Sequence, residues 1–322
     1  MEKNKANILS RVSPEMKKVM DFEERQRKDR IRSGEENLTD REAYEASRSF
    51  FNEGGPVMER VEEIFVDYEG RRISCTLYDP VNRPHNKAIL FIHGGGFVVG
   101  SPKTHDGIQR RLAHLTKAVV LSMDYSLAPE VKFPVQIHEC AAVLQHLKDH
   151  GARYGIDSGN ISLAGDSAGA YLSLATAVYL RDRGETDAIR SLLLFYGSYG
   201  LQDSRSMRLY GNEYDGLTLS ALHSYSTLFC DEKDREHPLR NLFLSDLTYG
   251  LPPAFILSCT LDPLADDSSL LYEILKEYGL KAEHVEYEGV LHGFLHYSRM
   301  MKDSEKAIRD AATFYQKQCS DK

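Results

Sequence analysis

The amino-acid sequence predicts an α/β fold, a doubly wound and mostly parallel sheet with helices on both faces. Three observations carry the expectation. From about residue 61, short apolar runs alternate with amphipathic segments of helix length, the rhythm of parallel strands joined by crossover helices. Residues 1 to about 50 differ from the rest in being densely charged, with apolar residues at helical spacing. A long tyrosine-rich span from about Tyr199 to Tyr249 interrupts the strand rhythm.

In the N-terminal segment, Leu9, Val12, Met16, Val19 and Met20 recur at helical spacing. Ser13 before Pro14 suits an N-cap followed by proline at the first helical position, and Thr39 to Glu42 reads as a capping box. Two amphipathic helices are expected, which either pack on the main domain or cover an active site. In the main unit, residues 51–322, the clearest strands are Ala88 to Ile92, Val119 to Met123, Ile161 to Ala164, Leu192 to Tyr196 and Ala254 to Cys259. Helical segments lie between them near residues 104–116, 134–150, 168–183, 218–230 and 266–279. The span from about 199 to 249 is read as an insertion near the sheet's C-terminal edge.

A chain of 322 residues with 42% hydrophobic content can bury a substantial core, as two units or as one large domain with additions at roughly 150 residues per domain. A formal net charge of -8 and a pI near 5.9 argue against nucleic acid and anionic membranes as partners, because both demand clustered cations. Cys75, Cys140, Cys230, Cys259 and Cys319 are odd in number and widely spread, with no C-x-x-C pair. They are expected to be reduced structural thiols, and no metal site is expected of them. Met1 to Arg11 lack the apolar core of a secretory signal, and no apolar run approaches the ~20 residues of a membrane span. The expectation is a soluble cytoplasmic protein.

The strand Ile161 to Ala164 runs into Gly165-Asp166-Ser167-Ala168-Gly169, and Tyr171 to Leu180 then reads as helix. This is G-x-S-x-G between strand and helix, where a sharp turn lifts a serine hydroxyl into the open. A Cβ two positions either side would collide with neighbouring backbone, so glycine is required there. Ser167 is the candidate nucleophile. After Ala88 to Ile92 come His93-Gly94-Gly95-Gly96-Phe97, where glycine lets main-chain N–H groups approach a developing oxyanion. Gly94, Gly95 and Gly96 form the candidate oxyanion loop, with Gly95, Gly96 and Ala168 N–H as donors. No Lys-Ser/Thr pair follows the glycines and the G-x-G-x-x-G spacing is missing, so a phosphate cradle is disfavoured. His93 precedes the turn and reads as a structural anchor for the loop.

A serine needs a base, and the base needs a carboxylate to hold its tautomer. With chain order Ser, Asp, His, the candidates are Asp262, after the strand ending Ser258-Cys259, and His292, after the strand near Val285-Glu286-Tyr287. Asp266 and Asp267 compete as the acid, although Asp266 falls where a helix N-cap would explain it. His296 competes as the base, although it falls in the following helical stretch as a surface or packing histidine.

Assembled, the motifs His93 to Phe97, Asp124 to Glu130, Gly165 to Gly169, Asp262-Pro263-Leu264 and His292-Gly293-Phe294 resemble the hormone-sensitive-lipase branch of the α/β-hydrolases, the GDXG esterase/lipase family, and in particular its bacterial acetyl esterases. The resemblance implies an approximately eight-stranded, mostly parallel sheet with a helical cap built from residues 1 to about 50 and about 199 to 249. It also implies cofactor-free acyl-enzyme hydrolysis of esters with short acyl chains, acetyl to butyryl, and a supporting structural role for the segment from Asp124 to Pro134. It further implies a homodimer, and a regulatory partner in the maltose-regulon transcriptional activator. The reading from another class is a regulatory binding protein with residual hydrolase machinery, and the same residues also serve an amidase or thioesterase. If the regulatory role holds, a pull-down captures a maltose-type activator at micromolar concentration; failure to bind there removes that role.

Overall fold

The computed structural model describes residues 4–33, 38–185, 189–214 and 216–320, the side chains of residues 319 and 320 excepted. Residues 1–3 and 34–37 of the N-terminal segment, residue 215 of the insertion and the Cys319 thiol lie outside the described residues. Eight strands form a single sheet: β1 Met58–Tyr68, β2 Arg71–Pro80, β3 Ala88–Ile92, β4 Val119–Asp124, β5 Ile161–Asp166, β6 Ile189–Phe195, β7 Ala254–Cys259 and β8 Ala282–Tyr287. Their spatial order is β1-β2-β4-β3-β5-β6-β7-β8. From β4 to β8 every neighbouring pair is parallel, while β1 and β2 pair antiparallel and β2 joins β4 antiparallel. The mostly parallel sheet expected from the alternating runs is therefore present, with an antiparallel hairpin at one edge.

That hairpin was not foreseen as a pair of strands. Its turn is Glu69-Gly70 with φ of 46° and 76°, the two left-handed residues that match the twist of a tight hairpin. Glutamate in place of the usual Asn or Asp hides the signal. The predicted strand at Leu192 begins earlier, at Ile189, and ends at Phe195, because Tyr196 turns out of the sheet at φ 41°.

The helices are α1 Pro14–Arg32, α2 Asp40–Asn52, α3 Asp106–Thr116, α4 Val135–His150, α5 Ala168–Asp182, α6 Arg205–Leu209, α7 Leu219–Phe229, α8 Ala265–Glu277 and α9 Lys302–Ser320. Alternation of side chains along each strand divides the core in two. Leu90, Leu121, Leu163 and Leu194 pack with α4, α5 and α8 on one face. Phe91, Val120, Ala164 and Phe195 pack with α3, α9 and the N-terminal helices on the other. No helix among the described residues is long and apolar enough to cross a membrane.

Ser13 caps α1 ahead of Pro14, and Thr39 closes the expected capping box with Glu42 at the start of α2. Met16, Val19 and Met20 are buried as the spacing predicts, but Leu9 is 45% exposed and its neighbour Ile8 is buried instead. The reason is local: Ile8–Ser10 is a 3-10 turn that stops before α1, so Leu9 does not share the helix's stripe. The insertion between β6 and β7 carries α6 and α7. Replacing Thr39 with alanine removes the side-chain arm of the capping box, the acceptor for Glu42 N–H, and leaves the arm from the backbone N–H of residue 39 to Glu42; it is expected to cost about 1 kcal/mol, measured as a lower urea midpoint at unchanged slope.

Candidate active site

Loops following the carboxyl ends of β3, β5, β7 and β8 converge at one rim of the sheet, where open α/β sheets bind their ligands. Ser167 stands between β5 and α5 with φ 54° and ψ -119°, a conformation that costs a non-glycine residue roughly 1–3 kcal/mol. Close packing on both sides holds it there. A Cβ on Gly165 would lie 2.4 Å from the Gly169 carbonyl, and one on Gly169 would lie 1.9 Å from Ile92 O. Glycine two positions before and after Ser167 is thus a steric requirement, as the motif argues.

His292 sits in the loop after β8, with its Nε2 2.8 Å from Ser167 Oγ. Its Nδ1 lies 2.6 Å from Asp262 Oδ2. Asp262 is fully buried, and its other oxygen accepts Leu264 N–H at 2.8 Å. The predicted serine, histidine and aspartate are therefore brought into one hydrogen-bonded chain by elements 125 and 30 residues apart in sequence. The ring of Tyr196 meets His292 edge-on at 4.9 Å and restricts its tilt.

The competitors have other attachments. Asp266 is not the N-cap of α8, since that position is Leu264. It lies in the helix's first turn and accepts Ser206 N–H at 2.8 Å. Asp267 is buried and accepts the N–H groups of Tyr199, Gly200 and Leu201 at 2.6, 2.9 and 3.3 Å. Burial raises its carboxyl to about 7 against the pull of those donors. Both acids hold the start of the insertion. His296 is on a short 3-10 turn and is a packing rather than a surface histidine, 5% exposed, its pKa pushed well below the ordinary value by burial and by Arg48.

In the glycine loop the structure removes Gly94 from the candidate oxyanion site, while Gly95 and Gly96 keep the donor role expected of them. Gly94 N–H donates to Asp166 Oδ1 at 2.9 Å, so it is spent on holding the loop and does not face the ligand space. The N–H groups of Gly95, Gly96 and Ala168 are not taken by protein acceptors among the described residues, and all three residues line the cavity over Ser167. Gly95 and Gly96 need their left-handed φ of 115° and 60°, and a Cβ on Gly95 would strike Val99 O at 2.2 Å. His93 is fully buried, stacked on Tyr125 at 4.3 Å and bonded through Nδ1 to Gly94 O at 2.8 Å. Burial lowers its pKa to about 3, so the ring is a neutral brace.

Asp166, given no role from sequence, joins the two motifs. Burial alone would raise its carboxyl, but His105 at 3.2 Å and Gly94 N–H outweigh burial and hold it below its ordinary value. His105, Asp166 and His296 bring ligand-type atoms within 4.8 Å of one another. They are the residues that could hold a metal among those described, although Asp166 Oδ1 is already engaged by Gly94 and His105. The segment after β4 also supports the loop: Ala128 N–H donates to Phe97 O at 2.9 Å. From α2, Arg41 donates to Val98 O at 2.8 Å and Ala128 O at 3.0 Å while pairing with Glu130.

The cavity over Ser167 measures about 260 Å³. Tyr214 and Tyr225 line it, whereas Tyr199 and Tyr210 are buried elsewhere as packing residues. Glu23, Tyr44 and Arg48 of the N-terminal helices also reach it, contributions that sequence reading missed because their spacing resembles any charged helix face. A larger hollow of about 590 Å³ beside α1 and α2 contains none of the hydrogen-bonded triad.

Comparison with known proteins places these features in context. A family model described as the alpha/beta hydrolase fold matches residues 89–296. The acetyl esterase of Salmonella agona (strain SL483) is 41% identical over 315 residues, covering 97% of this chain and 96% of that one. A hyperthermophilic esterase from the archaeon Pyrobaculum calidifontis superposes with a TM-score of 0.85 at 30% identity, over 96% of this chain and 99% of the other. A thermostable carboxylesterase cloned from a metagenomic library gives 0.83 at 29% identity, over 86% and 96%. Asp267→Asn keeps an acceptor for the three N–H groups and is expected to leave stability within about 1 kcal/mol, whereas Asp267→Ala orphans them and should cost about 3 kcal/mol; paired thermal and urea unfolding separates the two.

Proposed function

The chain belongs to the alpha/beta hydrolase fold family, and from that premise we propose that it is a serine carboxylesterase acting on short-chain acyl esters, acetyl to butyryl. The observation that carries the reading is the unbroken chain from Ser167 Oγ through His292 to Asp262, at 2.8 and 2.6 Å, beside three backbone N–H groups that no acceptor among the described residues takes. The relatives named acetyl esterase support the substrate class.

Ser167 Oγ attacks the ester carbonyl carbon as His292 Nε2 takes its proton. Asp262 holds Nδ1–H, fixing the tautomer that presents a lone pair to the serine, and stabilises the imidazolium once formed. The carbonyl oxygen, now negative, is received by Gly95, Gly96 and Ala168 N–H, at the amino end of α5 where the helix dipole favours negative charge. Each such donor contributes about 3 kcal/mol to barrier lowering in comparable sites. The carbon–oxygen bond to the alcohol then breaks, and His292 returns the proton to the departing alkoxide. Water repeats the sequence on the acyl-Ser167 ester, releasing the acid and restoring the serine.

The short-chain preference is supported by the cavity. At about 260 Å³ it lies below the usual range of small-molecule sites, about 300–1,000 Å³. Leu217, Leu222 and Tyr225 of the insertion close one side, and a single Cβ on Gly96 would approach the Tyr225 ring to 2.9 Å. In a series of p-nitrophenyl esters, acetyl to butyryl are expected to exceed octanoyl and longer chains in kcat/KM by at least tenfold; faster turnover of long chains overturns the preference. Tyr225→Ala, by opening that wall, should move the optimum toward hexanoyl or octanoyl in the same series. Matched acetyl amide and thioester substrates test the leaving group, with the oxygen ester expected to be fastest.

A further inference from the structure

Besides its apolar side, the cavity over Ser167 has a charged one that a simple alkyl ester gives no reason to build. Arg48, with only 14% of its side chain exposed, reaches Glu23 at 3.3 Å and Tyr297 OH at 3.4 Å. Tyr297 OH donates to both Glu23 oxygens at 3.1 Å. The Arg48 guanidinium lies over the Tyr44 ring at 4.8 Å, and its Nε is buried without a hydrogen-bond partner among the described residues. Arg240, which lines the same cavity, donates to Ser226 Oγ at 2.8 Å and likewise keeps a buried Nε with no partner among the described residues. Glu23, Tyr44, Arg48, Ser226, Arg240 and Tyr297 all line the space shared with Ser167 and His292.

Holding a mostly buried arginine and a half-buried glutamate beside an ester site is costly unless their hydrogen-bonding capacity is used. A short unsubstituted acyl group offers them nothing, so the partner must come from the other half of the ester. The wall supplies donors from two arginines, an acceptor carboxylate and aromatic rings, and Glu23 balances Arg48. A ligand with several neutral hydroxyls can use donors and acceptor together; an anionic ligand would meet the Glu23 carboxylate. We propose that this wall is a hydroxyl-binding subsite for the alcohol moiety, and that the enzyme's substrates are short-chain esters of polyhydroxylated alcohols. The assignment rests on the ester-hydrolase reading above and narrows it.

The test compares kcat/KM for three acetates, glycerol monoacetate, ethyl acetate and O-acetyl-lactate, in the wild type and in Arg48→Gln, Arg48→Lys and Glu23→Gln. The wild type is expected to prefer glycerol monoacetate over ethyl acetate by at least tenfold, with O-acetyl-lactate the poorest. The glycerol-to-ethyl ratio should fall to within threefold of unity in Arg48→Gln and Glu23→Gln and be partly kept in Arg48→Lys. A purely structural role for the wall would lower both acetates together and leave the ratio in place, which overturns the assignment. A wild-type ratio near one, or O-acetyl-lactate as the best substrate, overturns it without recourse to any variant. If none of the three acetates nor p-nitrophenyl acetate is turned over, the ester-hydrolase reading itself fails.

Discussion

The site depends on one close approach of backbone to backbone, where the turn between β5 and α5 rests against the end of β3. Gly169 lies so near Ile92 O that a Cβ there would come within 1.9 Å, and Ser167 N–H is fixed to Phe195 O on the other side at 2.8 Å. Between these two strands the chain has no relaxed way to reverse, and Ser167 is left in a strained conformation. The strain aims the hydroxyl at His292. It also points the first N–H of α5 into the same space, so nucleophile and oxyanion donor are set by a single constraint.

Asp166 extends that constraint to the glycine loop. Its buried carboxylate grips Gly94 N–H and faces His105, while Tyr125 OH donates to His93 O at 3.1 Å and Arg41 holds the loop's far side. Preorganised donors stabilise developing charge because they need not reorganise when it appears. Asp266 and Asp267 play the matching part below Asp262, tying the insertion to the start of α8. The acids near the triad thus divide between one that meets the histidine and several that hold loops. The charged wall contributed by the N-terminal helices then gives the cavity a chemical bias that the triad alone does not have.

Much of this was legible in the sequence, for reasons that can be stated residue by residue. Ser167 and the glycine loop announce themselves because steric demand restricts which residues can occupy a sharp turn. Asp262 and His292 follow from chain order and from their positions after consecutive strands. The parallel strands were visible because burial on both faces makes them continuous apolar runs. The edge hairpin β1–β2 was not, since its turn uses glutamate where asparagine or aspartate is usual. Gly95 and Gly96 could be named as donors from the motif, but what takes Gly94 out of the oxyanion site, its bond to the Asp166 carboxylate, could not. The roles of Asp166, Glu23 and Arg48 depend on contacts across 72 residues and across two helices, which no local pattern encodes.

The central claim, that Ser167 is the nucleophile of an acyl-enzyme, is tested most directly by p-nitrophenyl acetate turnover in wild type and Ser167→Ala. Mass spectrometry of the protein trapped with an organophosphate ester accompanies it. The account predicts that the substitution lowers kcat by several orders of magnitude and that the wild type carries one phosphoryl adduct, on Ser167. Near-normal turnover by a folded Ser167→Ala protein, or an adduct on another residue, would contradict it.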